Sequence, residues 1–305
     1  MPAPDLRAGD GGATRLGDAV AEATRRLAEA GVETPGVDAR RIVAANCGVT
    51  TGELIARPEQ SVAPDVLIQI EARIARRCAR EPVSRILGTR DFYGLTFALS
   101  PATLDPRPDS ETLIELTLDL VAEKGWRDQP LRILDVGTGT GCLLITLLAE
   151  LPRATGLGTD ISAEALAVAR ANARLNGVAE RARFAEYDLL SGVTGPFDIL
   201  VCNPPYIPSA TIETLEPEVR DFDPRGALDG GADGLAPYRS IAPRIKEILP
   251  AGWAVFEVGA GQAESVAKLL HQMIPDCGHG EKESRIRYRN DLGGQTRCVA
   301  VEIQL

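Results

Sequence analysis

A short apolar run at 131–136 opens directly into Gly137-Thr138-Gly139-Thr140-Gly141 and then into a Leu- and Ile-rich segment, 142–150. Glycine at every second position has one economical use here. It lets the backbone turn sharply and lets a ligand come close where a Cβ would stand in the way. Strand, glycine turn and helix make the first half of a β-α-β unit, and the downstream sequence repeats the unit. Runs at 156–159, 183–186, 197–202 and 253–258 read as strands, and 163–175, 237–249 and 262–272 read as helices. The alternation predicts an α/β fold, a parallel sheet with helices on both faces. The final pair, 284–290 and 297–303, reads as antiparallel, and the polar Gly- and Pro-bearing stretch 207–235 reads as a loop.

Ahead of the sheet the pattern changes. Residues 1–14 read as a disordered tail without the basic flank and apolar core of a signal peptide. Residues 15–82 carry helical periodicity: Leu16, Val20, Ala23 and Leu27, then a segment from Asp38 to Cys47 that stops at Gly48, then Val66, Leu67, Ile70 and Ile74. Arg73, Arg76, Arg77 and Arg80 form a stripe beside this last face, read as a solvated helix surface, with contact to a macromolecular partner as the functional alternative. Across 83–100, Val83–Leu87 and the Phe92–Phe97 region read as short strands around a glycine turn, a hairpin linker before the domain at 101–305.

The strand tips carry the chemistry. A dinucleotide turn has the spacing GxGxxG, and counting from Gly137 its third glycine would fall on Cys142. The spacing G-x-G-x-G suits instead the amino-acid part of S-adenosylmethionine, which has no pyrophosphate to cradle. Asp160 ends the next strand and is suited to accept from two ribose hydroxyls, while Ser162 is placed to cap the following helix. Asp188 and Leu189 end the third strand, where an adenine amine and ring would lie. The fourth strand runs into Asn203-Pro204-Pro205-Tyr206. An amide or aniline-type nitrogen is a poor nucleophile because its lone pair is delocalised. The Asn203 side-chain oxygen and the Pro204 carbonyl can accept both of its N–H hydrogens, two prolines stiffen the loop, and Tyr206 offers a flat face. Asn203, Pro204 and Tyr206 are therefore the expected catalytic group, with Pro205 completing the substrate slot.

Composition narrows the partners. Only His271 and His279 are available as histidine bases, and six scattered cysteines include no CxxC pair, so no metal site is expected and Cys277-Gly-His279 reads as a loop. Net charge is −10, and residues 1–100 hold 13 Lys or Arg against 13 Asp or Glu, so the whole acidic excess lies in the later domain. That argues against nucleic acid as the direct substrate. No apolar run reaches the ~18–20 residues of a membrane span, and a reducing, cytoplasmic setting is expected.

The glycine turn with the Asn-Pro-Pro-Tyr tetrapeptide resembles the class I amino-methyltransferases. The wider chain is similar to the HemK/PrmC family, the peptide-chain release factor glutamine N5-methyltransferases, over roughly residues 15–305. The resemblance rests on Arg76-Arg77, Glu81-Pro82-Val83, Asp91-Phe92-Tyr93-Gly94, Leu104 to Glu111, the two motifs above, Gly230-Gly231, Asp233-Gly234-Leu235 and Glu257-Val258-Gly259. It implies a small helical domain that recognises the release factor, a hairpin, and a Rossmann-like seven-stranded domain with its last strand antiparallel. It assigns Gly137, Thr138, Gly139, Thr140, Gly141, Asp160, Leu189 and Asn203 to S-adenosylmethionine, and Asn203 to Tyr206 to the substrate glutamine of class 1 release factors. Some members place Trp where Leu189 stands, so adenine packing here is aliphatic. An adenine-N6 DNA or guanine-N2 RNA methyltransferase is the alternative enzyme, since a nucleobase amine poses the same electronic problem. A non-catalytic docking module is the alternative class. Gly293-Gly294-Gln295 spells the release-factor tripeptide, but falls in a turn between the last strands and reads as coincidence.

Overall fold

A computed structural model of the chain describes residues 14–273 and 285–304. The expected tail up to residue 13 and the Cys277–His279 pair lie outside the described residues. Among the described residues no helix is long and apolar enough to cross a membrane. The chain divides into two units between Leu87 and Gly88.

The first unit is helical: α1 (Leu16–Glu29), α2 (Pro35–Cys47), α3 (Thr51–Ala56), α4 (Pro64–Cys78) and α5 (Val83–Leu87). Local chemistry marks the ends. Proline opens α2 and α4, Gly48 closes α2 in a left-handed conformation, and Thr50 with Glu53 forms a capping box on α3. Leu16, Ala23, Leu27, Ile42, Ile70 and Ile74 share one apolar core. Two sequence expectations change here. Val83–Leu87 is a helix rather than a strand, because a single helical turn buries Val83, Ser84 and Ile86 together, whereas strand alternation would expose half of them. The arginine stripe is not uniformly solvated either. Arg77 is buried and its Nε donates to Asp38 at 2.7 Å, tying α4 to α2, while Arg76 pairs with Glu81 in a forked contact at the surface.

The second unit begins with the hairpin β1 (Thr89–Phe92) and β2 (Leu95–Ala98), which turns at Tyr93-Gly94. Phe92 and Phe97 sink into the core of this unit, so the hairpin is an integral part of it and not a free connector. There follow α6 (Glu111–Glu123), β3 (Arg132–Val136), α7 (Cys142–Glu150), β4 (Thr155–Asp160), α8 (Ala163–Leu175), β5 (Ala182–Glu186) and β6 (Ile199–Cys202). The stretch read as a plain loop contains a short helix, α9 (Pro217–Arg220), and turns of 3-10 helix. The helix expected at 237–249 is split into α10 (Ala236–Ile241) and α11 (Ile245–Ile248), because Pro243 cannot donate to the helical ladder. The chain ends with β7 (Gly252–Glu257), α12 (Ala263–Met273), β8 (Ile286–Asn290) and β9 (Thr296–Ile303).

The sheet order is β5-β4-β3-β6-β7-β9-β8, parallel from β5 to β7, with β9 antiparallel between β7 and β8. Its two faces carry separate cores, one around Leu144, Leu147 and Val255, the other around Leu200, Tyr238 and Phe256. From β3 the chain crosses to β4 on one side and later to β6 on the other. That reversal opens a crevice at the carboxyl ends of these strands, the usual ligand position in open α/β sheets.

Candidate active site

Strand register aligns the tips. Val136 lies opposite Thr159 and Cys202, and Cys202 lies opposite Phe256, so Gly137, Asp160, Asn203 and Glu257 emerge level on adjacent strands. Gly137, Gly139, Asp160, Asp188, Leu189, Asn203 and Pro205 line one cavity of about 420 Å³. A smaller adjoining cavity is lined by Gly137, Thr138, Gly139, Thr140 and Asn203 together with Arg107 and Ser110. A further cavity with Arg132, Arg181 and Arg183 opens at the amino end of the strands and shares no residue with these tips.

The glycine turn divides its labour. Gly137 and Gly139 hold φ of +71° and +54°, and a Cβ on either would meet no protein atom, so these positions border the cavity. At Gly141 a Cβ would stand 2.8 Å from Ile145 Cδ1, so that the absence of a side chain there serves helix packing. Thr138 and Thr140 are buried. The Thr138 hydroxyl donates to Asp135 Oδ2 at 2.6 Å, and the Thr140 carbonyl accepts from Asn172 Nδ2 at 2.9 Å. Asp160 is already engaged: Oδ2 accepts the Gly139 N–H and Oδ1 the Ser162 N–H, both at 2.9 Å. Each oxygen keeps a lone pair for a hydroxyl donor. Ser162 caps α8 through the Ala165 N–H. Leu189 sits at φ +50°, a strained value for a γ-branched residue, on the cavity wall.

The tetrapeptide is held from several directions. Asn203 Nδ2 donates to Ser110 Oγ at 3.3 Å, Pro204 is buried, and the Tyr206 hydroxyl donates to Glu257 Oε1 at 3.4 Å. Gln262 Nε2 donates to the Tyr206 carbonyl at 2.9 Å. The 229–235 segment lies so close that a Cβ on Gly234 would reach within 2.2 Å of that same carbonyl oxygen.

Two domain models match the chain: the PrmC N-terminal domain over residues 18–88 and the methyltransferase small domain over 115–215. A release factor glutamine methyltransferase of Rhodospirillum rubrum is 46% identical, the match covering 95% of this chain and 90% of the relative. One of Agrobacterium fabrum is 44% identical, covering 95% and 98%. This chain belongs to the release factor glutamine methyltransferase family. Among solved structures, the hMettl16 catalytic domain bound to an RNA hairpin superposes with a TM-score of 0.51 at 15% identity, over 78% of this chain and 81% of that one; the likeness is one of fold. The enzyme is an S-adenosylmethionine-dependent methyltransferase with a class I fold.

The residues present fit that methyl donor. The cradle at Gly137 and Gly139 is open, and behind it Asp135 is fully buried, its Oδ2 held by the Thr138 hydroxyl and its Oδ1 without a hydrogen-bond partner among the described residues. Burial pushes the Asp135 carboxyl up to about 7, against the pull of the Thr138 hydroxyl and the Leu144 amide. Glu257 behaves alike: burial raises it to about 7, while the Ser110 hydroxyl and the Arg297 charge pull the other way. The Tyr206 phenol is pushed up by burial and by the nearby Glu257.

Several residues here were not singled out by motif. Ile161, 69% exposed, directly follows Asp160 and lines the same cavity. An isoleucine directly after the acidic strand tip was the available sequence signal. Asn172 in α8 binds both the Thr140 carbonyl and the Ala98 backbone, clamping the glycine turn to the hairpin. Asp135, Ser110 and Glu257 lay inside recognised motifs, but nothing local announced their contacts.

Proposed function

We propose that this enzyme transfers a methyl group from S-adenosylmethionine to the side-chain nitrogen, N5, of the glutamine in the Gly-Gly-Gln loop of class 1 peptide-chain release factors. The observation that carries the reading is the setting of Asn203. It follows β6 level with Gly137, lines the cofactor cavity, and commits its NH2 to Ser110, leaving Oδ1 to accept from a substrate.

When bound, S-adenosylmethionine supplies an electrophilic methyl group on a sulfonium. Gly137 and Gly139 would admit it closely, Asp160 would take its ribose hydroxyls, Asp188 its adenine amine, and Ile161 and Leu189 its ring. Asn203 Oδ1 and the Pro204 carbonyl accept the two N–H hydrogens of the glutamine amide, which turns the nitrogen lone pair toward the methyl. As the N–C bond forms, the methyl–sulfur bond would break with its electron pair staying on a neutral thioether, and the two oxygens would stabilise the positive charge that passes to the nitrogen. The proton then leaves an N–H made strongly acidic by alkylation, so no dedicated base is required. Tyr206, anchored through its hydroxyl, supplies a flat wall for the amide plane.

So small a slot would bind a glutamine side chain weakly, and recognition must extend over more of the partner. The helical unit, which holds no cofactor motif, is the proposed second contact, in a cytoplasmic setting where translation proceeds. The test is mass spectrometry of intact release factor, a short Gly-Gly-Gln peptide and duplex DNA after incubation with enzyme and cofactor. One methyl on the glutamine of release factor, with the peptide far poorer, is expected. Removing residues 15–81 should abolish the advantage of the intact factor while cofactor binding persists. Methylated DNA beside unmodified release factor would overturn the reading.

A further inference from the structure

A primary amide has an oxygen and an NH2 group of nearly equal size, and turning it end for end changes little except its hydrogen-bond partners. For Asn203 the orientation is decisive. With Oδ1 toward the slot it accepts the substrate N–H. Turned round, it would set its own NH2 against the substrate NH2, donor against donor. The protein must therefore break the symmetry, and the Asn203 neighbours show how.

Ser110 Oγ lies 3.3 Å from Asn203 Nδ2. A serine hydroxyl can donate or accept, and accepts securely only where its own hydrogen is used elsewhere. Glu257, 1% exposed, also borders Ser110, and in its ionised form can only accept. The Ser110 hydroxyl draws the pKa of Glu257 downward, as an O–H directed at a carboxylate does. The contact is longer than a hydrogen bond, and the buried Glu257 Oε2 has no hydrogen-bond partner among the described residues. Glu257 Oε1 takes the Tyr206 hydroxyl. Glu257 is itself fixed: β7 is paired on both sides, and the Tyr238 hydroxyl donates to the Glu257 carbonyl at 2.7 Å.

We propose that Ser110 is a positioning residue that sets the direction of the Asn203 carboxamide: Ser110 Oγ accepts from Asn203 Nδ2, and Asn203 Oδ1 is left facing the substrate. The inference rests on the proposed role of Asn203 as acceptor of the substrate N–H. It gives the Pro-Arg-Pro-Asp-Ser-Glu loop a part in the chemical step, although Ser110 stands one shell behind the reacting atoms.

A double-mutant cycle tests it, with kcat and both KM values measured on release factor for the wild type, Ser110→Ala, Asn203→Ala and the double variant, and folding checked by thermal melting. Ser110→Ala removes one hydroxyl from a buried site and should lower kcat by about 10-fold, the worth of one hydrogen bond, with KM for cofactor and release factor unchanged. In the Asn203→Ala background the same change should cost nothing further, and Ser110→Thr should restore most of the lost turnover. A Ser110→Ala loss that persists in full without Asn203 would overturn the inference, as would wild-type turnover in Ser110→Ala beside an impaired Asn203→Ala. Wild-type turnover in Asn203→Ala itself would overturn the underlying reading of Asn203, and the inference with it.

Discussion

The two loops that face each other across the crevice are built in opposite ways. The glycine turn after β3 is a local object: five successive residues, set by their own backbone conformations and steadied by single contacts from Asp160 and Asn172. The tetrapeptide after β6 is a composite. Ser110 reaches it from more than ninety residues upstream, and Glu257 and Gln262 from more than fifty downstream. A cofactor site needs space and a few backbone donors, which a short motif can encode. A chemical step needs a polar group aimed to a fraction of an ångström, and that requires rigid elements on several sides.

The largest effect is expected where aim matters most. Asn203→Ala should lower kcat by roughly 100- to 1,000-fold, as for other single preorganised polar groups, with a smaller loss of cofactor affinity. Steady-state kinetics on release factor checks this, and a variant with near-normal turnover would make the tetrapeptide only a turn.

Next in size is the buried carboxylate beside the cofactor cradle. Because the folded protein holds Asp135 protonated up to about pH 7 while the unfolded chain ionises it near 3.8, the folded state binds more protons between those values. This contribution to stability therefore falls as pH rises from about 4 to about 7 and stays low above it. Asp135→Asn should remove that slope and gain a few kcal/mol at pH 8 in the cofactor-free protein, read by denaturant unfolding at several pH values. A parallel pH dependence in both proteins would show that Asp135 is not the titrating group.

Asp160→Ala should weaken cofactor affinity by roughly 10- to 100-fold by calorimetry, since hydrogen bonds to a charged group are worth ~1.5–3 kcal/mol each. Part of that loss belongs to the Gly139 N–H, which Asp160 also holds. The smallest effects separate the glycines of one turn. Gly139→Ala should strain a left-handed residue by about 1 kcal/mol and cost cofactor affinity, while Gly141→Ala should cost mainly thermal stability. Equal effects on affinity would remove the distinction between ligand-facing and packing glycines.

What the sequence by itself determined was whatever depends on near neighbours. The strand-turn-helix unit, the Ser162 cap, the placement of Asp160 and Asn203 at strand ends, the antiparallel ending and the family were all readable, because apolar period, turn chemistry and motif spacing are local properties. What only the tertiary structure decided depends on distant partners. Val83–Leu87 is apolar enough for strand or helix, and the core of the helical unit made it a helix. Arg77 looked like one more surface charge until α2 brought Asp38 to 2.7 Å from it. Ser110 and Glu257 are ordinary residues in the chain. They meet Asn203 and Tyr206 because β6 and β7 pair in one register and the 106–111 loop folds over their ends, and no local pattern encodes that meeting.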